Sequence, residues 1–285
     1  MNLRALVTGG TGFVGRQIIG KLSERNISVR AVVRPQSEEK LPVAQAYERI
    51  IRSAKPFDED AEWWTAACRG VDLVIHCAWY SEPELYLQSA VNIDCLRGTL
   101  AVARGAQAAR VSRFVGIGTC FEYDLDGGVV SVDTPLRPLT PYAGAKAAAY
   151  LALSQFLPAS GVSFLWCRLF YLYGENEHER RLVPYLRRQL SAGLPAALTS
   201  GAQVRDYLDV REAARQIVDA SVSESCGTEN ICSEKPITVR QMAERIADEY
   251  GRRDLLHFGA RPDNPMDPAC VVGKRCVKRS TVDAG

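Results

Sequence analysis

The chain has 285 residues, of which 47% are hydrophobic and 24% charged, so it is long enough for one large domain or for one domain with a smaller lobe. The formal net charge is only +2, with acidic and basic residues interspersed along the chain. The chain therefore lacks the strongly basic composition of proteins that bind nucleic acids or anionic membranes, and we expect neither as a partner.

The cysteines and the apolar runs exclude further classes of protein. The nine cysteines include no C-x-x-C pair and the chain has only three histidines, so we expect no metal site and no disulfide framework. The N-terminal residues MNLRALVTGG lack the apolar core of a signal peptide, and no run reaches the ~18 apolar residues of a membrane span. These features predict a reduced, cytoplasmic protein.

The first predicted elements form a βαβ unit. Residues 3–8 (LRALVT) are a short apolar run typical of a buried strand, and the glycine-rich stretch GGTGFVG follows at once. The next residues, RQIIGKLSER, have helical periodicity, and 27–33 (ISVRAVV) form a second strand rich in β-branched residues. A strand, a glycine-rich turn, a helix and a strand are the opening of a dinucleotide-binding unit.

The glycines of this turn satisfy two overlapping patterns. Gly10, Gly12 and Gly15 make G-x-G-x-x-G, while Gly9 replaces Gly10 in G-x-x-G-x-x-G. Glycine is needed because a side chain would block the tight turn, the approach of a pyrophosphate, or helix–strand packing. The N–H groups at the start of the following helix would bind that pyrophosphate. The predicted cofactor-binding residues are Gly9, Thr11, Gly12, Phe13, Val14 and Gly15. A glycine-rich turn without a ligand is the alternative.

Arg34 stands where the second strand ends, about 20 residues past the glycines, at the position where a carboxylate would bind the ribose 2′-hydroxyl of NAD. The nearest acids are Glu38 and Glu39. Because arginine suits the 2′-phosphate of NADP, we predict NADP rather than NAD. A solvated loop arginine is the alternative.

The next strand is predicted at 70–78 (GVDLVIHCA), after the helical stretch DEDAEWWTAAC. Asp58, ahead of that helix, is expected either to contact the adenine amino group of the cofactor or to act as a helix N-terminal acid. Ala78 ends the strand and is expected to line the cofactor site, because ligands bind at the carboxyl ends of parallel strands.

Helices and strands continue to alternate as far as residue 174. Residues 84–110 predict one or two helices, RFVGIGT a strand ending at Thr119, PYAGAKAAAYLALSQFL a helix, and 163–174 (SFLWCRLFYLYG) a further strand. This alternation predicts an α/β, Rossmann-type, doubly wound parallel sheet. Tyr142 and Lys146, four residues apart, share one helical face.

Five motifs then carry a family resemblance. The stretches TGGTGFVG, TCFEY, PYAGAK, RLFYLYG and VRDYLDV stand in the order seen in extended short-chain dehydrogenase/reductases, which the chain resembles over about residues 1–250. Within that family, GIGTCFEYD and GENEHERRLVPY are most similar to nucleotide-sugar 4-ketoreductases of the abequose- and deoxyhexose-forming type.

The resemblance implies three catalytic residues, Thr119, Tyr142 and Lys146. Tyr142 would donate a proton to a carbonyl oxygen, and Lys146 would stabilise its phenolate, lower its pKa from about 10 and bind the nicotinamide ribose. Thr119 would hydrogen-bond the substrate carbonyl. An ordinary surface contact between residues i and i+4 is the alternative for the tyrosine–lysine pair.

Departures from related motifs argue against neighbouring activities. Nucleotide-sugar 4,6-dehydratases have an Asp-Glu pair after the threonine, where this chain has Cys120 and Phe121. The cysteine and histidine of fucose-type epimerase-reductases are replaced by Phe121 and Asn176, while Cys120 and His178 are displaced from those positions and are not expected to act as an acid–base pair. Cys120 and Asn176 are expected to contact the substrate.

We predict two parts: a Rossmann domain over residues 1–174, to which 205–235 return, and a smaller C-terminal substrate-binding lobe over 175–285. ERRLVPYLRRQLSAGLP and 238–254 predict helices of this lobe, whereas the last ~15 residues lack apolar periodicity. The resemblance places Arg205 of VRDYLDV on the nucleotide diphosphate, which a guanidinium can bind in bidentate fashion. A surface pair with Asp206 or Asp209 is the alternative.

Together these features predict NADPH-dependent reduction of the 4-keto group of a 4-keto-6-deoxy sugar carried on dTDP, CDP or GDP. Two alternatives remain open: a nucleotide-sugar 4-epimerase that retains NAD(P), and a non-catalytic NADP-binding scaffold. The resemblance also implies a homodimer, formed through the helices around 90–108 and 141–157.

Overall fold

A computed structural model of the chain describes residues 3–44, 46–264 and 267–275. The helices are α1 (Phe13–Glu24), α2 (Ala61–Cys68), α3 (Val91–Ala108), α4 (Pro141–Ala159), α5 (Leu182–Ser191), α6 (Val210–Ser221) and α7 (Val239–Asp248). The strands are β1 (Arg4–Thr8), β2 (Ser28–Val33), β3 (Tyr47–Arg52), β4 (Leu73–His76), β5 (Arg113–Thr119), β6 (Val129–Val130), β7 (Ser163–Leu169), β8 (Tyr171–Tyr173), β9 (Ala196–Ala197), β10 (Val204–Asp209), β11 (Gly227–Ile231), β12 (Pro236–Thr238), β13 (Leu256–His257) and β14 (Cys270–Gly273).

The main sheet has seven parallel strands in the order β11-β7-β5-β4-β1-β2-β3. After β1 the chain moves outward to β3 and then returns to β4 on the other side of β1. The predicted doubly wound parallel sheet is therefore confirmed, and its direction changes between β1 and β4. In such sheets this change of direction opens a crevice at the carboxyl ends of the strands, where ligands bind.

Helices cover both faces of this sheet, which explains why its inner strands are mostly buried, whereas the edge strands β3 and β11 are partly exposed. On one face α1 and α6 pack together, and Ile18 and Ile217 belong to the same apolar cluster as the strand residues Val7 and Ile75. On the other face α2, α3 and α4 pack side by side, with Trp64 and Leu153 in a second cluster. The two clusters hold the carboxyl ends of the central strands in fixed register.

The structure corrects several predicted elements. The strand β3 was not predicted, and the helical region at 84–110 contains one helix, α3, after an irregular segment at 77–90. The single strand expected over 163–174 is split at the buried residue Phe170, because β7 pairs with β5 in the main sheet whereas β8 pairs with β10.

The smaller lobe has its own apolar core between α5 and α7, and the short strands β9 and β13 lie beside it. The last residues were expected to be irregular, but β14 pairs in parallel with β10 and β6; the rest of that expectation, on residues 276–285, lies outside the described residues. β11 and α6 return to the main sheet, while the domain division at residue 174 stays a prediction. No helix in the described ranges is long and apolar enough to cross a membrane.

Candidate active site

A cleft with a volume of about 1150 Å³ lies along the carboxyl ends of β1, β2, β4 and β5 and continues to the segment before α5. Every residue predicted for the site except Arg205 lies in its wall. These wall residues are Gly9, Thr11, Gly12, Phe13, Val14, Gly15, Arg34, Asp58, Ala78, Thr119, Cys120, Tyr142, Lys146 and Asn176.

The glycine-rich turn leaves no room for side chains at two positions. Gly9 has a φ of +69°, and a Cβ atom there would lie 2.7 Å from the backbone nitrogen of Ala78. A Cβ on Gly15 would lie 2.2 Å from the carbonyl oxygen of Gly9. Gly10 has a different role, because it is absent from the cleft wall and makes room for a side chain of α1. Of the two overlapping glycine patterns, the one formed by Gly9, Gly12 and Gly15 is therefore the one whose members all line the cleft.

Helix α1 presents its N-terminus to the cleft. Gly12, its N-cap, has no side chain to bond the first N–H groups, and the first turn carries no acidic residue. Such a terminus has unpaired backbone donors and the positive end of the helix dipole. Together with the crowded glycines it fits the pyrophosphate of a dinucleotide, which needs close backbone approach and N–H donors.

The end of β2 is basic. Arg34 and Lys40 lie in the cleft wall together with the buried Ser37. Glu38, the nearest acid, is directed to Arg52 and makes two hydrogen bonds of 2.6 Å with its guanidinium. The carboxylate is therefore already paired, whereas two cations and a hydroxyl face the cleft.

Asp58 lies in the cleft wall but is bound to other side chains. Its carboxylate is 2.5 Å from the guanidinium of Arg97 and 3.9 Å from the ammonium of Lys55. The N-cap of α2 is Asp60, which accepts a hydrogen bond from the backbone of Trp63. The proposed helix-terminal role therefore falls to Asp60, and Asp58 retains only the predicted contact with the adenine.

Helix α4 begins where its sequence predicts. The hydroxyl of Thr140 accepts a hydrogen bond of 3.2 Å from the backbone of Ala143, and Pro141 occupies the first helical position. This start places Tyr142 in the first turn and Lys146 one turn later, both in the cleft wall. The short motif TPYAGAK thus contains both the residues that start the helix and the two side chains that the helix places in the cleft wall.

Tyr142 lies among other aromatic rings. Its ring makes an edge contact with Tyr86, with centroids 4.8 Å apart at 82°, and Thr119 lies close enough to lower the pKa of its phenol. Burial, with smaller contributions from Tyr86 and other groups, raises the pKa of Tyr142 above its ordinary value. The phenol therefore carries its proton at neutral pH, and in this structure it is a weaker acid than a free tyrosine.

Lys146 is buried and bonded away from Tyr142. Its ammonium donates a hydrogen bond of 2.5 Å to the carbonyl of Ile117 and lies 3.8 Å from the ring centre of Trp79. Burial lowers the pKa of Lys146 to about 8, although the charge of Glu122 opposes this shift. The expectation that Lys146 lowers the pKa of Tyr142 is not met in this structure, because its ammonium contacts the Ile117 carbonyl instead.

Arg205 differs most from its prediction. It is 2% exposed, lies beneath the ring of Tyr171 and forms an ion pair of 2.7 Å with Asp267, so it is absent from the cleft wall. The surface alternative is also wrong, since Asp206 accepts hydrogen bonds from the loop after β11 and Asp209 pairs with an arginine of α6. The partner Asp267 is 62 positions further along the chain and could not be read from the motif.

Two segments form the wall opposite the sheet: 77–90, and the stretch of chain before α5 that contains Asn176. Glu82 of the first segment is 3.7 Å from His178 and 3.7 Å from Arg180 of the second. Cys120 is buried in the wall, and burial raises the pKa of its thiol to about 12. A neutral thiol agrees with its expected role as a contact residue rather than an acid or base.

The sequence-based prediction missed part of this wall. Among the missed residues with polar or aromatic side chains are Ser37, Lys40, Trp79, Tyr80, Glu82, Tyr86, Tyr171, Glu177, Arg181 and Tyr207. Trp79 and Tyr80 were detectable, because they come within four residues of the end of β4, at the carboxyl edge of the sheet. Glu177 gave no local signal, although burial raises its pKa to about 7. Within the described ranges no cluster of His, Cys, Asp or Glu could bind a metal ion.

Comparison with known proteins agrees with this geometry. At 22% identity the chain is similar to a dTDP-6-deoxy-L-talose 4-dehydrogenase (NAD(+)) of Aggregatibacter actinomycetemcomitans, over 96% of this chain and all of that protein. It is 28% identical to a 3-diazoavenalumate denitrifying reductase of a Streptomyces species, over 87% of this chain and 82% of that one.

A solved structure shows the same fold. The UDP-glucose 4-epimerase of Thermus thermophilus, in complex with NAD, superposes with a TM-score of 0.81 at 23% identity, covering 95% of this chain and 90% of that chain. The model of the NAD dependent epimerase/dehydratase family matches residues 5–231, which include the glycine turn, the cleft and the return strand β11. With its dinucleotide cleft and its threonine, tyrosine and lysine at the end of β5 and the start of α4, the chain belongs to the NAD dependent epimerase/dehydratase family.

Proposed function

We propose that the protein reduces the 4-keto group of a nucleotide-activated 4-keto-6-deoxy sugar with NADPH. The observation that carries this proposal is the presence of Thr119, Tyr142 and Lys146 in one wall of a cleft that continues to the glycine turn and the basic end of β2. A cleft of about 1150 Å³ is large enough for both a dinucleotide and a second ligand.

Each of the three residues has a task in the reduction of a ketone. Bound NADPH supplies the hydride. Thr119 donates a hydrogen bond to the carbonyl oxygen and orients the carbonyl carbon. The Tyr142 hydroxyl, kept protonated by burial, gives its proton to that oxygen, so that ketone, hydride and proton yield the alcohol. Lys146 remains charged below about pH 8 and binds ribose hydroxyls.

The cofactor preference rests on the end of β2. Arg34 and Lys40 supply positive charge and Ser37 a hydroxyl, whereas Glu38 is paired with Arg52. These groups favour the 2′-phosphate of NADP. The name of the Aggregatibacter relative specifies NAD(+), so the preference for NADPH is proposed from these residues and not from that relative.

The substrate class rests on the relatives and on the second wall. A 4-dehydrogenase and a 4-ketoreductase catalyse the same hydride transfer in opposite directions, and the talose 4-dehydrogenase relative aligns over 96% of this chain. Arg181, in the cleft wall, is the guanidinium that we assign to the substrate diphosphate. Arg205 joins it only if its ion pair with Asp267 opens.

Of the other reactions of the family, dehydration needs an acid and a base that are missing from this cleft, whereas epimerisation would use the same residues as reduction. Cys120 and Phe121 follow Thr119 in the wall, so the acid and base of a dehydratase are missing from those positions. A 4-epimerase would use the same three residues with a retained cofactor, and it is the second candidate because the superposed Thermus protein is one. A cofactor-binding scaffold is the third.

Absorbance at 340 nm separates these candidates. Purified protein is mixed with NADPH or NADH and a 4-keto-6-deoxy sugar carried on dTDP, CDP or GDP. We expect stoichiometric loss of NADPH, faster than that of NADH. Unchanged cofactor with NMR signals of a sugar inverted at C4 would favour the epimerase, and tight NADPH binding without any turnover would favour the scaffold.

A further inference from the structure

A fully buried carboxylate lies directly behind the proposed reacting groups. Glu122 is 0% exposed and ends the short helix Cys120–Glu122 that follows β5. Its carboxylate accepts hydrogen bonds of 2.8 Å from the backbone of Thr119 and 2.7 Å from Arg168. The indole nitrogen of Trp166 donates to both carboxylate oxygens at 3.1 Å. Glu122 therefore binds the backbone of Thr119 from the side opposite the cleft.

The glycines of β5 make room for this arrangement. A Cβ on Gly118 would lie 2.2 Å from the indole nitrogen of Trp166 and 2.5 Å from a carboxylate oxygen of Glu122. A Cβ on Gly116 would lie 2.3 Å from the same indole ring. The sequence GIGT thus brings the indole and the carboxylate against the strand that ends at Thr119.

Arg168 neutralises this carboxylate inside the protein. It is 1% exposed, and its guanidinium lies 4.4 Å from the ring centres of both Tyr123 and Tyr150. It also donates a hydrogen bond of 3.0 Å to the hydroxyl of Tyr123, which in turn donates to Asn230 at 2.8 Å. One guanidinium nitrogen, Nη2, has no hydrogen-bond partner among the described residues.

The hydrogen bond from the backbone of Thr119 caps the short helix, but capping does not require a buried ion pair with Arg168. Desolvation of two charges often exceeds their mutual attraction, and apolar residues of similar volume are frequently as stable. The unpaired Nη2 of Arg168 adds to that cost. A buried pair adjoining the proposed site therefore calls for a functional explanation.

The indole of Trp166 connects Glu122 with Lys146. The ammonium of Lys146 lies 5.9 Å from the ring centre of Trp166, whose nitrogen is bonded to Glu122. Lys146 also binds the carbonyl of Ile117, two residues before the Thr119 that Glu122 holds. One carboxylate is thus linked to both the threonine and the lysine of the site.

Apart from Glu122, the titratable groups that face Lys146 carry no charge at neutral pH. The titratable groups that face it from neighbouring elements are His76 and Cys77 at the end of β4, Cys95 of α3, and Glu122. Burial lowers the pKa of His76 to about 3 and raises the pKa of the Cys77 and Cys95 thiols, so these three are neutral at pH 7. Asp94 of α3 also lies in the cleft wall but is paired with Arg97.

We propose that Glu122, held by Arg168, is a positioning residue: it fixes the backbone of Thr119 and supplies the negative charge that keeps Lys146 an ammonium ion. The inference deepens the proposed function and rests on it for the roles of Thr119 and Lys146. It assigns a role to the fourth residue of the motif TCFEY that the reaction itself does not use.

NMR of protein labelled with ¹³C-lysine tests this inference without any substrate. The side-chain signal of Lys146 is identified by its loss in Lys146→Met and then titrated in the wild type and in Glu122→Gln. We expect the substitution to lower the titration midpoint by about one pH unit. The alkaline limb of the kcat profile moves in the same direction. If no substrate is turned over, the NMR titration still decides the inference.

Glu48→Gln is the matched control, because Glu48 pairs with the buried Arg30 at 3.1 Å on the far edge of the sheet. It should leave the Lys146 midpoint unchanged. If Glu122→Gln does not fold, Glu122→Gln combined with Arg168→Met removes both charges and should still lower the midpoint, by less than the single substitution, because the opposing charge of Arg168 is lost together with the carboxylate. An unchanged midpoint in the folded variant, or an equal shift in Glu48→Gln, would overturn the proposal.

Discussion

At the scale of single residues, the site depends on two buried groups whose pKa values are shifted in opposite directions. Burial raises the pKa of Tyr142 and lowers that of Lys146 to about 8. Both shifts arise because a charged form loses its hydration in the cleft wall. The tyrosine therefore carries its proton at neutral pH, and the lysine is a cation only up to mildly alkaline pH.

Removing the phenol tests the proton donor. In Tyr142→Phe the ring contact with Tyr86 remains while the hydroxyl is lost, so we expect kcat to fall by about 100- to 10,000-fold with little change in NADPH affinity. Reduction of the keto sugar is followed at 340 nm. Tyr250→Phe, the same change on an exposed residue of the smaller lobe, should leave the rate unchanged. Equal rates for Tyr142→Phe and the wild type would contradict the assignment.

Lys146 also makes stability depend on pH. Its pKa is about 8 in the folded protein and about 10.4 in an unfolded chain, so between these values the unfolded chain binds more protons. The free energy of unfolding of the wild type, relative to Lys146→Met, should therefore rise with pH by up to about 3 kcal/mol. Urea unfolding of both proteins at neutral and alkaline pH measures this difference. A constant or falling difference would contradict the lowered pKa.

Substitution of Arg34 tests the proposed preference for NADPH over NADH. Arg34→Ser removes a charged donor from the 2′-phosphate, so the Kd for NADPH should rise by about 10- to 100-fold while that for NADH stays the same. Cofactor fluorescence measures both constants. Arg49→Ser, on exposed β3 and outside the cleft wall, is the control. Equal weakening of NADPH and NADH binding would argue against a 2′-phosphate contact.

At the scale of elements, helix α1 shows how one helix combines a functional and a neutral glycine. Gly15 packs against the carbonyl of Gly9, whereas Gly20, one and a half turns later, has no atom within 4 Å of the position of a Cβ. Glycine in a helix interior costs about 0.5–1 kcal/mol relative to alanine. Only at Gly15 does the close approach require it.

The two glycines give a prediction with its own control. Gly15→Ala should destabilise the protein and weaken NADPH binding, because its methyl group displaces the turn that receives the pyrophosphate. Gly20→Ala should instead stabilise the protein by about 0.5–1 kcal/mol and leave NADPH binding unchanged. Urea unfolding and fluorescence titration measure the two quantities. If Gly15→Ala binds NADPH normally, the close packing at this turn does not matter for the cofactor.

At the scale of the whole molecule, the outer faces of α3 and α4 carry several exposed apolar side chains. Ile93 of α3 is 62% exposed and Leu151 of α4 is 56% exposed, although the two helices pack against each other. Phe156 continues the α4 face. These residues lie on the helices through which the family resemblance implies a homodimer.

A single charge on this face tests the dimer. We expect light scattering to show a dimer for the wild type and a monomer for Leu151→Glu, because a buried unpaired carboxylate would oppose association. Leu194→Glu changes an equally exposed leucine outside both helices and should remain dimeric. A monomeric wild type would remove the prediction altogether.

The sequence by itself determined the parallel sheet, the glycine turn, and the order in which threonine, tyrosine and lysine occur. These features depend on short-range patterns: apolar runs mark buried strands, and TPYAGAK contains a helix start together with both side chains that it positions. The relation between such patterns and local backbone structure is set by residues that are neighbours in the chain. The fold and the candidate site were predictable to that extent.

Only the tertiary structure decided which groups meet across long separations. The partner of Arg205 is Asp267, the ammonium of Lys146 binds the Ile117 carbonyl, and Glu122 is buried against Arg168. No local pattern specifies these contacts, because each depends on how separate strands, helices and loops pack. The chemistry of the site follows from that packing, since burial and the nearest charge determine which groups are protonated and which face the cleft.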